Sequence, residues 1–450
     1  MDALVKKIRT RAKRKSKPSY GIIDSRNVKT TSASDERGFD GNKKIKGRKR
    51  HIAVEKIQIK SKEVFMQYRK DKYGNKLSML GLGCMRLPRN KAEAERIVLD
   101  AIEGGINFFD TAYLYPGNEN IVGEILAKNN KRKDIYLATK LPLILCKSPD
   151  DFDRYFDEQL KRLKTDYIDY YFMHNIPDYA RWKALKELGV ESWIERKKAT
   201  GQIKQVGFSY HGTCDDFLLT LNDYPWDFCM IQYNYSDENY QAGKKGLLAA
   251  EEKGIPVIIM EPLLGGALAN LPKPARAIFA KANPELAPAD WAFWWLWNQR
   301  GVTVTLSGMN STQIMDANLR SIDKFRHLTD DELAVYDNVI AEFKKAYKIN
   351  CTGCNYCLPC PKGINIPACF SAYNASFTQG YVTGVSLHVV STAALSKSPK
   401  SPRLCNQCGK CEKDCPQNLP IREGLKKAAR RFEPPPIRAG LVIARKIFAR

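Results

Sequence analysis

Short apolar runs alternate with amphipathic stretches from Met66 to about residue 328. This alternation is typical of a parallel sheet in which each strand is followed by a helix. Eight such units in about 260 residues match the size of a (β/α)8 barrel. An open doubly wound sheet is disfavoured, because no GxGxxG phosphate loop follows the first run. The predicted strands lie in LSMLGLG, INFFDTA, DIYLATKL, DYIDYYFMH, IKQVGFS, WDFCMIQYN, IPVIIMEP and VTVTLSG.

The pattern therefore predicts an α/β fold with a TIM barrel over residues 66–328. Helices are expected between the strands, for example at Ala92–Glu103, Pro149–Leu163 and Asp215–Leu221. After Thr329, the segment DDELAVYDNVIAEFKKAYK predicts a connecting helix over residues 329–350. It leads to a cysteine-rich domain at 351–421 and a basic tail at 422–450, whose end is expected to be helical.

Residues 1–65 differ from the rest of the chain in charge and pattern. They hold 20 Lys and Arg against 7 Asp and Glu, and so account for +13 of the net charge of +24. They are polar and show no sustained apolar periodicity, which predicts a poorly ordered basic arm. Their charge alone keeps a DNA-binding arm open as an alternative. The remainder is only mildly basic, so nucleic acid is not expected as a partner.

Part of this arm, SYGIIDSRNVKTTSASDERGFDGNKKIKGRKRHIAVE, resembles a short region of DDE-type insertion-sequence transposases. The resemblance implies that Asp24 matches the first catalytic carboxylate of those enzymes. It ends by about Glu55, and the other two carboxylates have no counterpart, whereas a two-metal site needs several. We interpret residues 1–65 as a transposase remnant, fused in frame or preceding the older start, for which Met66 is the candidate.

Composition and cysteine usage indicate the compartment. Hydrophobic residues make up 44% of the chain, as in an ordinary soluble protein. No run of about 18 uncharged apolar residues occurs, and the opening MDALVKKIRTRAKRKSK lacks the features of a secretory signal. Nine of the 13 cysteines lie between residues 351 and 415, which in a reducing compartment favours metal binding over disulfides. We expect a cytoplasmic protein without membrane association. Buried thiols are expected at Cys84, Cys146, Cys214, Cys229 and Cys369.

Four polar side chains stand at or just beyond the ends of successive predicted strands, where a TIM barrel places its catalytic groups. Asp110 ends the second strand and Tyr115 follows in the loop, Lys140 ends the third strand, and His174 ends the fourth. A buried Lys needs a partner, and Asp110 is the nearest expected carboxylate. The set suits carbonyl reduction, because an adjacent ammonium lowers a phenol pKa from about 10 and an imidazole can orient the carbonyl oxygen.

The segment from about 66 to 325 resembles the aldo/keto reductase family through FFDTAYLYPGNENIVGEIL, IYLATK, DYIDYYFMH, GFS and SGM. The resemblance implies that Asp110, Tyr115, Lys140 and His174 form the catalytic tetrad, with Tyr115 as the general acid. One departure is Pro116, which precedes Gly117 in the tyrosine motif. The implied reaction is reduction of an aldehyde or ketone by a reduced nicotinamide.

The same resemblance implies a site for NADP(H) or NAD(H). Ser209 and Gln232 would contact the carboxamide and the ring face, and a group after the eighth strand would hold the pyrophosphate and adenosine. Met260 or Glu261 stands near the position where many members stack a Tyr on the nicotinamide. Only Arg320 is available for a 2′-phosphate, so the choice between the two cofactors is open. The implied contacts are Gly83, Met85, Ser209, Gln232, Pro262, Leu263, Ser307, Gly308, Met309, Gln313 and Asn318.

The cysteines form two blocks, Cys351, Cys354, Cys357 and Cys360, then Cys405, Cys408, Cys411 and Cys415. The second has the C-x2-C-x2-C-x3-C-P spacing of bacterial ferredoxins, in which the fourth Cys ligates the other cluster. The first block has two residues, not three, before its last Cys. Tetrahedral zinc is the alternative, but such sites pair two separated knuckles. We expect two [4Fe-4S] clusters, with Cys415 crossing to the first block and Cys360 to the second.

A barrel followed by this relay resembles the ferredoxin-tailed branch of the aldo/keto reductases, from Met66 to about Ile421. The leading hypothesis is an NAD(P)H-linked oxidoreductase for a small carbonyl substrate, with a helical ferredoxin-like domain and a redox partner protein. The alternative is an iron–sulfur electron-transfer protein whose barrel docks a redox partner and is not itself a reductase. A DNA-binding transposase derivative is a third hypothesis, which depends on residues 1–65 alone.

Overall fold

The structure, a computed structural model, describes residues 22–29, 38–40, 45–54, 65–394, 396, 398–438 and 440–441. The chain divides into two compact units, Met1–Glu63 and Val64–Arg450. Each unit is described by itself.

The first unit contains three strands, β1 (Ile22–Lys29), β2 (Gly38–Asp40) and β3 (Ile45–Val54). They form an antiparallel sheet in the order β1-β3-β2, with Ile22 opposite Val54. Pairing along both neighbours of β3 satisfies backbone N–H and C=O groups of the three described segments. The remaining residues of the arm lie outside the described residues.

The second unit begins with a two-stranded antiparallel hairpin, β4 (Tyr68–Lys70) and β5 (Lys76–Ser78). Its turn carries Asp71, whose carboxylate accepts hydrogen bonds from Tyr170 and Gln205. Those residues lie on strands β9 and β10 of the barrel defined below, and Leu77 of the hairpin belongs to the barrel interior. The hairpin therefore seals the end of the barrel opposite the carboxyl ends of the strands.

Eight parallel strands close into a barrel, with neighbours in chain order and the last pairing with the first. All eight predicted runs form these strands, and the predicted (β/α)8 barrel is confirmed. The strands are β6 (Leu80–Gly83), β7 (Phe108–Asp110), β8 (Tyr136–Leu141), β9 (Ile168–Ile176), β10 (Ile203–Tyr210), β11 (Phe228–Gln232), β12 (Val257–Met260) and β13 (Val302–Ser307).

Helices surround the strands, and several of them bury one apolar face. In Asp150–Leu163, for example, Phe152, Phe156 and Leu163 are buried against the barrel while the acidic first turn faces outward. These helices are α1 (Lys91–Glu103), α2 (Asn118–Lys128), α3 (Asp150–Leu163), α4 (Tyr179–Glu187), α5 (Val190–Ala199), α6 (Cys214–Asn222), α7 (Gly243–Glu252), α8 (Lys273–Ala282), α9 (Pro288–Trp297) and α10 (Thr312–Asp323).

The segment after the barrel is helical but interrupted. The predicted connecting helix over 329–350 is two helices, α11 (Asp330–Ala334) and α12 (Tyr336–Ala346). Thr329 caps the first of them by accepting from the Glu332 N–H. The C-terminal helices are α13 (Ile366–Thr378), α14 (Tyr381–Ser391), α15 (Lys410–Lys413) and α16 (Ile421–Phe432).

A small apolar core holds the cysteine-rich domain together. Ile366 and Phe370 of α13 pack with Ile421 and Leu425 of α16. The packed part therefore extends past the predicted boundary at residue 421, because α16 is amphipathic and buries one face on α13. Within the described residues, no helix is long and apolar enough to span a bilayer.

Candidate active site and cysteine-lined cavities

The ends of β7 and β8 bring together a buried ion pair. Asp110 and Lys140 are 4% and 1% exposed, and Lys140 Nζ lies 2.5 Å from Asp110 Oδ1. The same ammonium donates to the Thr111 carbonyl oxygen at 2.7 Å. Burial raises the pKa of Asp110 and lowers that of Lys140, while the opposite charge of each partner counteracts both shifts. The predicted Asp110–Lys140 pairing is thus present.

Tyr115 and His174 complete the predicted group of four. Lys140 Nζ lies 5.2 Å from the centroid of the Tyr115 ring. The Tyr115 and His174 rings are perpendicular, with centroids 6.3 Å apart. The side chains that the sequence placed at separate strand ends therefore converge on one point at the barrel mouth.

The pKa of Tyr115 differs in direction from the sequence-based argument. Burial raises it well above its ordinary value, and Tyr356, Asp110, Cys354 and Glu261 raise it further. The expected lowering by Lys140 is wrong for this closed arrangement, because the phenol has little contact with water and faces several acidic groups. Tyr115 is accordingly held protonated and can act as a hydrogen-bond donor.

His174 is a neutral imidazole at the same point. It is 6% exposed, and burial together with the charge of Lys140 lowers its pKa well below the ordinary value. Its Nδ1 is buried without a hydrogen-bond partner, while its Nε2 lies 3.3 Å from the hydroxyl of Tyr356. The imidazole thus presents one nitrogen toward the mouth of the barrel.

Tyr356 is the functional-site residue that sequence reasoning missed. It belongs to the first cysteine block, between Cys354 and Cys357, yet its ring reaches the barrel and lies 6.5 Å from the His174 ring. Burial raises the pKa of Tyr356, and a hydrogen bond with Tyr115 counteracts part of that rise. The sequence offered one signal for this role: an aromatic residue, Tyr356, stands between two cysteines at a position that metal ligation does not require.

The cysteine-rich domain is docked on the barrel mouth through polar contacts. Arg86 donates to the Thr352 carbonyl oxygen at 2.7 Å and to that of Gly265 at 3.4 Å. A side chain on Gly265, which has φ +67°, would collide with the Thr352 backbone. On the other side, Tyr240 donates to the Gln417 carbonyl oxygen at 2.6 Å. The two parts therefore meet closely around the proposed tetrad.

Glu261 lies in this contact, directly after β12. Its carboxylate accepts a hydrogen bond from Gln417 Nε2 at 2.9 Å. Its backbone φ is +56°, an unusual value for a non-glycine residue. Burial raises the pKa of Glu261 to about 7, against lowering by Thr352, Arg86 and Gln417. The carboxyl group therefore changes charge near neutral pH.

A cleft of about 1550 Å³ opens beside the tetrad and is lined by both parts of the chain. Tyr115 and His174 line it from the barrel, and Cys354, Tyr356 and Cys415 line it from the cysteine-rich domain. A small organic molecule can reach the tetrad through this cleft. Its walls place the cysteine blocks and the barrel residues around the same space.

The eight cysteines of the two blocks surround two further cavities. One is lined by Cys351, Cys354, Cys357 and Cys415, and the other by Cys360, Cys405, Cys408 and Cys411, with Cys357 at its edge. Within the described part of the chain, no three His, Cys, Asp or Glu side chains converge as ligands of one metal ion would. Cys415 thus lines a cavity with members of the first block and Cys360 lines one with members of the second, and the crossed ligation of the clusters stays a prediction.

The other cysteines lie apart from these cavities. Cys84, Cys146, Cys229 and Cys369 are buried, as expected. Cys214 is only half-buried, because it begins α6 at the barrel surface.

Comparison with known proteins identifies both parts of the chain. The model of the aldo/keto reductase family matches residues 79–341, more than half of the sequence. The chain belongs to the aldo/keto reductase family. The 4Fe-4S dicluster domain model matches residues 350–420. The protein is therefore an aldo/keto reductase barrel followed by a 4Fe-4S domain.

Individual relatives agree with this assignment. An uncharacterized oxidoreductase of Bacillus subtilis, YqkF, is 28% identical over 60% of this chain and 96% of its own length. An aldo-keto reductase of Mycolicibacterium vanbaalenii is 30% identical over 59% of this chain and 89% of its own. The solved structure of aldo-keto reductase AKR11C1 from Bacillus halodurans, in its holo form, has a TM-score of 0.52 and 24% identity, and covers 61% of this chain and 96% of that one. That last likeness concerns the fold.

The aldo/keto reductase resemblance assigned two buried residues of the barrel strands, Ser209 and Gln232, to the nicotinamide. Gln232 ends β11 and is 1% exposed, yet neither polar atom of its amide has a hydrogen-bond partner among the residues that the structure describes. An amide left unpaired inside the barrel fits a ligand that offers a donor and an acceptor, as a carboxamide does. Ser209, on β10, accepts from the Asn175 N–H at 2.8 Å.

The remaining assigned residues lie at the ends of β6, β12 and β13. Asn318 of α10 donates to Ser307 Oγ at 2.8 Å, and the Gly83 Cα lies against the Ser307 carbonyl group. Gly308 lies beside the Arg86 side chain, and Gln313 and Arg320 are exposed on α10. Met85 lies in the turn after β6, Met309 is buried, and Pro262 and Leu263 follow Glu261. Ser307, Asn318 and Gly83 thus lie together, and the contacts of the assigned residues with a nicotinamide nucleotide stay a prediction.

Proposed function

We propose that this chain reduces an aldehyde or ketone with NADPH or NADH, with Tyr115 as the general acid, and that it carries two [4Fe-4S] clusters. The observation that supports the reductase is the position of Lys140, whose buried ammonium contacts Asp110 and lies beside the Tyr115 ring, with His174 across from it. An apolar side chain would fill this buried position at lower cost than Lys140, so chemistry at the neighbouring Tyr115 is the better explanation of the buried cation.

The four residues divide the proposed reaction among themselves. The carbonyl oxygen accepts hydrogen bonds from Tyr115 and from His174, whose imidazole is neutral. As negative charge develops on that oxygen, Tyr115 gives up its proton. Lys140 stabilises the phenolate that results, and Asp110 keeps Lys140 charged and in position. The proton thus passes from the Tyr115 hydroxyl to the substrate oxygen, with the Lys140 ammonium beside the phenol.

The nicotinamide site is proposed at Gln232, Ser209 and the rim formed by Ser307, Gly308 and Asn318. A reduced nicotinamide bound there supplies the hydride. The unpaired amide of Gln232 is the residue-level support for this assignment. Arg86 and Thr352 border the same rim, so the 4Fe-4S domain shapes the entrance to the cofactor groove.

The two cysteine-lined cavities are proposed to hold one [4Fe-4S] cluster each. Cys351, Cys354, Cys357 and Cys415 would hold the cluster nearer the tetrad, and Cys405, Cys408, Cys411 and Cys360 would hold the other. Each cluster supplies one-electron transfer, so a redox partner protein is proposed to exchange electrons with the outer one, near the exposed Cys408. A small carbonyl compound is the proposed substrate and the cytoplasm the proposed location.

The deciding experiment measures NADPH and NADH oxidation by protein purified without oxygen, with a panel of small aldehydes and ketones. Iron and zinc are quantified and the EPR spectrum is recorded on the same sample. We expect carbonyl-dependent oxidation and about eight iron atoms per chain, as two cubanes require. Zinc in place of iron would refute the clusters, and iron-replete protein that never oxidises either nucleotide would refute the reductase.

One observation favours the second candidate function, in which the barrel docks a partner and is not itself a reductase. The Tyr356 hydroxyl lies where a carbonyl oxygen would have to meet His174. In that function the 4Fe-4S domain exchanges electrons with a partner protein whether or not a carbonyl compound is present. Cluster reduction that is independent of aldehydes, together with absent NAD(P)H oxidation, would support it.

A further inference from the structure

The 4Fe-4S domain inserts one of its own side chains into the proposed carbonyl site. The Tyr356 hydroxyl lies 3.3 Å from His174 Nε2, and Tyr356 and Tyr115 line the same cleft. His174 and Tyr115 are the groups that a substrate carbonyl oxygen must contact. We propose that Tyr356 occupies the carbonyl site in the resting protein, and that substrate displaces it and thereby signals its arrival to the nearer cluster.

This inference rests on the proposed reductase function. It adds a connection, through Tyr356, between the carbonyl site of the barrel and the 4Fe-4S domain. Two oxygen atoms cannot share one hydrogen-bonding position, so substrate and the Tyr356 hydroxyl exclude each other. The ring has somewhere to go, because the 1550 Å³ cleft that leads to the tetrad is lined by Tyr356 itself. Displacement therefore needs rotation of one side chain into open space rather than separation of the domains.

The link to the cluster runs through the backbone of the same residue. Tyr356 lies two residues after Cys354 and directly before Cys357, and both cysteines line the cavity shared with Cys351 and Cys415. Hydrogen bonds to ligand sulfurs are among the features that set the reduction potential of a cluster. A change in the Tyr356 side chain therefore alters the surroundings of Cys354, two residues away.

Thermodynamic linkage makes this effect reciprocal. If occupancy of the carbonyl site alters the state of the cluster, then the state of the cluster alters affinity for the carbonyl compound by the same factor. Hydride transfer moves two electrons, whereas each cluster moves one. Linkage through binding couples the two reactions without any electron passing between the clusters and the nicotinamide. Tyr356 would couple them as a positioning residue.

The first test is kinetic and uses Tyr356→Phe in anaerobically purified holoprotein. This variant keeps the ring but loses the hydroxyl that competes for His174 and Tyr115. We expect KM for benzaldehyde to fall about 2- to 10-fold, the range for one lost hydrogen bond, with kcat within about twofold of wild type. The matched control is Tyr347→Phe, whose hydroxyl donates to the Cys351 carbonyl oxygen at 3.2 Å away from the tetrad, and whose KM should not change.

The second test needs no turnover and uses the same two variants. Protein is photoreduced without dithionite, since sulfite adds to aldehydes, and its EPR spectrum is recorded as benzaldehyde is added without nucleotide. We expect a saturable change in the signal of one cluster in wild type and in Tyr347→Phe, and no change in Tyr356→Phe. Iron content of each sample verifies that both clusters are present.

The outcomes separate this inference from the proposed function. An aldehyde-dependent EPR change in protein that never oxidises NAD(P)H would support the link and refute the reductase. Normal turnover with an EPR spectrum indifferent to aldehyde would refute the link and leave the reductase standing. A KM that rises in Tyr356→Phe would also overturn the inference, because the hydroxyl would then help to bind substrate.

Discussion

At the scale of single residues, the site is organised around a cation that has no access to water. Lys140 is among the largest fully buried side chains, and it is held by Asp110 and the Thr111 carbonyl oxygen. Such a pair costs more to desolvate than it returns by attraction unless its geometry is good. We therefore expect the Lys140–Asp110 pair to serve the adjacent groups through its charge, among them the phenol of Tyr115.

Removing the Tyr115 hydroxyl tests the acid directly. Tyr115→Phe keeps the ring beside Lys140 and deletes only the proton donor. We expect carbonyl reduction to fall at least about 10²-fold, the usual effect of losing a general acid, with nucleotide binding retained. Steady-state turnover and nucleotide fluorescence titration measure the two properties.

Tyr113→Phe is the matched control for that substitution. Tyr113 lies two residues away in the same loop, but its hydroxyl donates to Glu158 at 2.8 Å and not toward the tetrad. This control should keep wild-type turnover. If Tyr115→Phe also keeps it, the acid role moves to His174, the next candidate.

Glu261 predicts a pH effect on stability whose sign follows from its pKa. Burial raises that pKa from 4.5 to about 7, so between these values the folded protein holds a proton that the unfolded chain has released. The contribution of Glu261 is therefore full below about pH 4.5 and is lost as pH rises through about 7. Thermal unfolding at one scan rate should show a wild-type midpoint that falls more from pH 5 to pH 8 than that of Glu261→Gln.

Glu332→Gln provides the comparison of opposite sign. The pKa of Glu332 is lowered to about 2, chiefly by its hydrogen bonds with Arg326, so its contribution is lost only as pH falls below its ordinary range. This variant should lower the midpoint by a similar amount at pH 5 and pH 8. Equal pH slopes for wild type and Glu261→Gln would contradict the role given to Glu261.

At the scale of elements, we propose that the two cysteine blocks exchange their fourth members. The cavities place Cys415 with the first block and Cys360 with the second, as the Cys-Pro steps suggested. Cys415→Ser should therefore lower iron content and alter the EPR signal of the cluster held by the first block. Cys360→Ser should do the same to the cluster held by the second.

Cys369→Ser is the control for these variants, because Cys369 is buried in α13 outside both cavities. It should keep both EPR signals and the full iron content. If each block instead closes its own cluster, Cys415→Ser will perturb the signal assigned to Cys405, Cys408 and Cys411. The two-cluster proposal would survive that result and the crossing would not.

The elements show how far the sequence could predict this protein. Local periodicity was enough for the eight strands, and strand order was enough to bring Asp110, Lys140 and His174 together. The break at Val335 between α11 and α12 was missed, since DDELAVYDNVIAEFKKAYK has no proline or glycine to mark it. The raised pKa of Tyr115 was also missed, because it depends on burial and on Tyr356, some 240 residues later, and spacing carries no information on such contacts.

At the scale of the whole molecule, the chain divides into Met1–Glu63 and Val64–Arg450. Whether the second unit needs the first can therefore be tested. Met66 is 6% exposed within the barrel core, whereas Phe65 is 73% exposed. A chain that starts at Met66 should therefore contain the complete barrel and 4Fe-4S domain. We expect its iron content and NAD(P)H turnover to equal those of the full chain, measured on the two proteins side by side.

The comparison also tests the remaining hypothesis for the basic arm. If the arm binds DNA, the full chain should be retained on a DNA column at low salt and the shortened one should not. Insoluble or iron-free protein from the Met66 start would show that the arm is needed for folding.

The glycine at the contact between barrel and 4Fe-4S domain has a consequence for experiments in living cells. A methyl group on Gly265 would come 2.6 Å from Thr352 Cα, and its φ of +67° already disfavours any other residue. Gly265→Ala would thus push the 4Fe-4S domain away from the barrel and leave the residues of the barrel site unchanged. A strain that carries this allele would reveal which phenotypes depend on contact between the barrel and the 4Fe-4S domain. Phenotypes that it keeps would need only the presence of both parts.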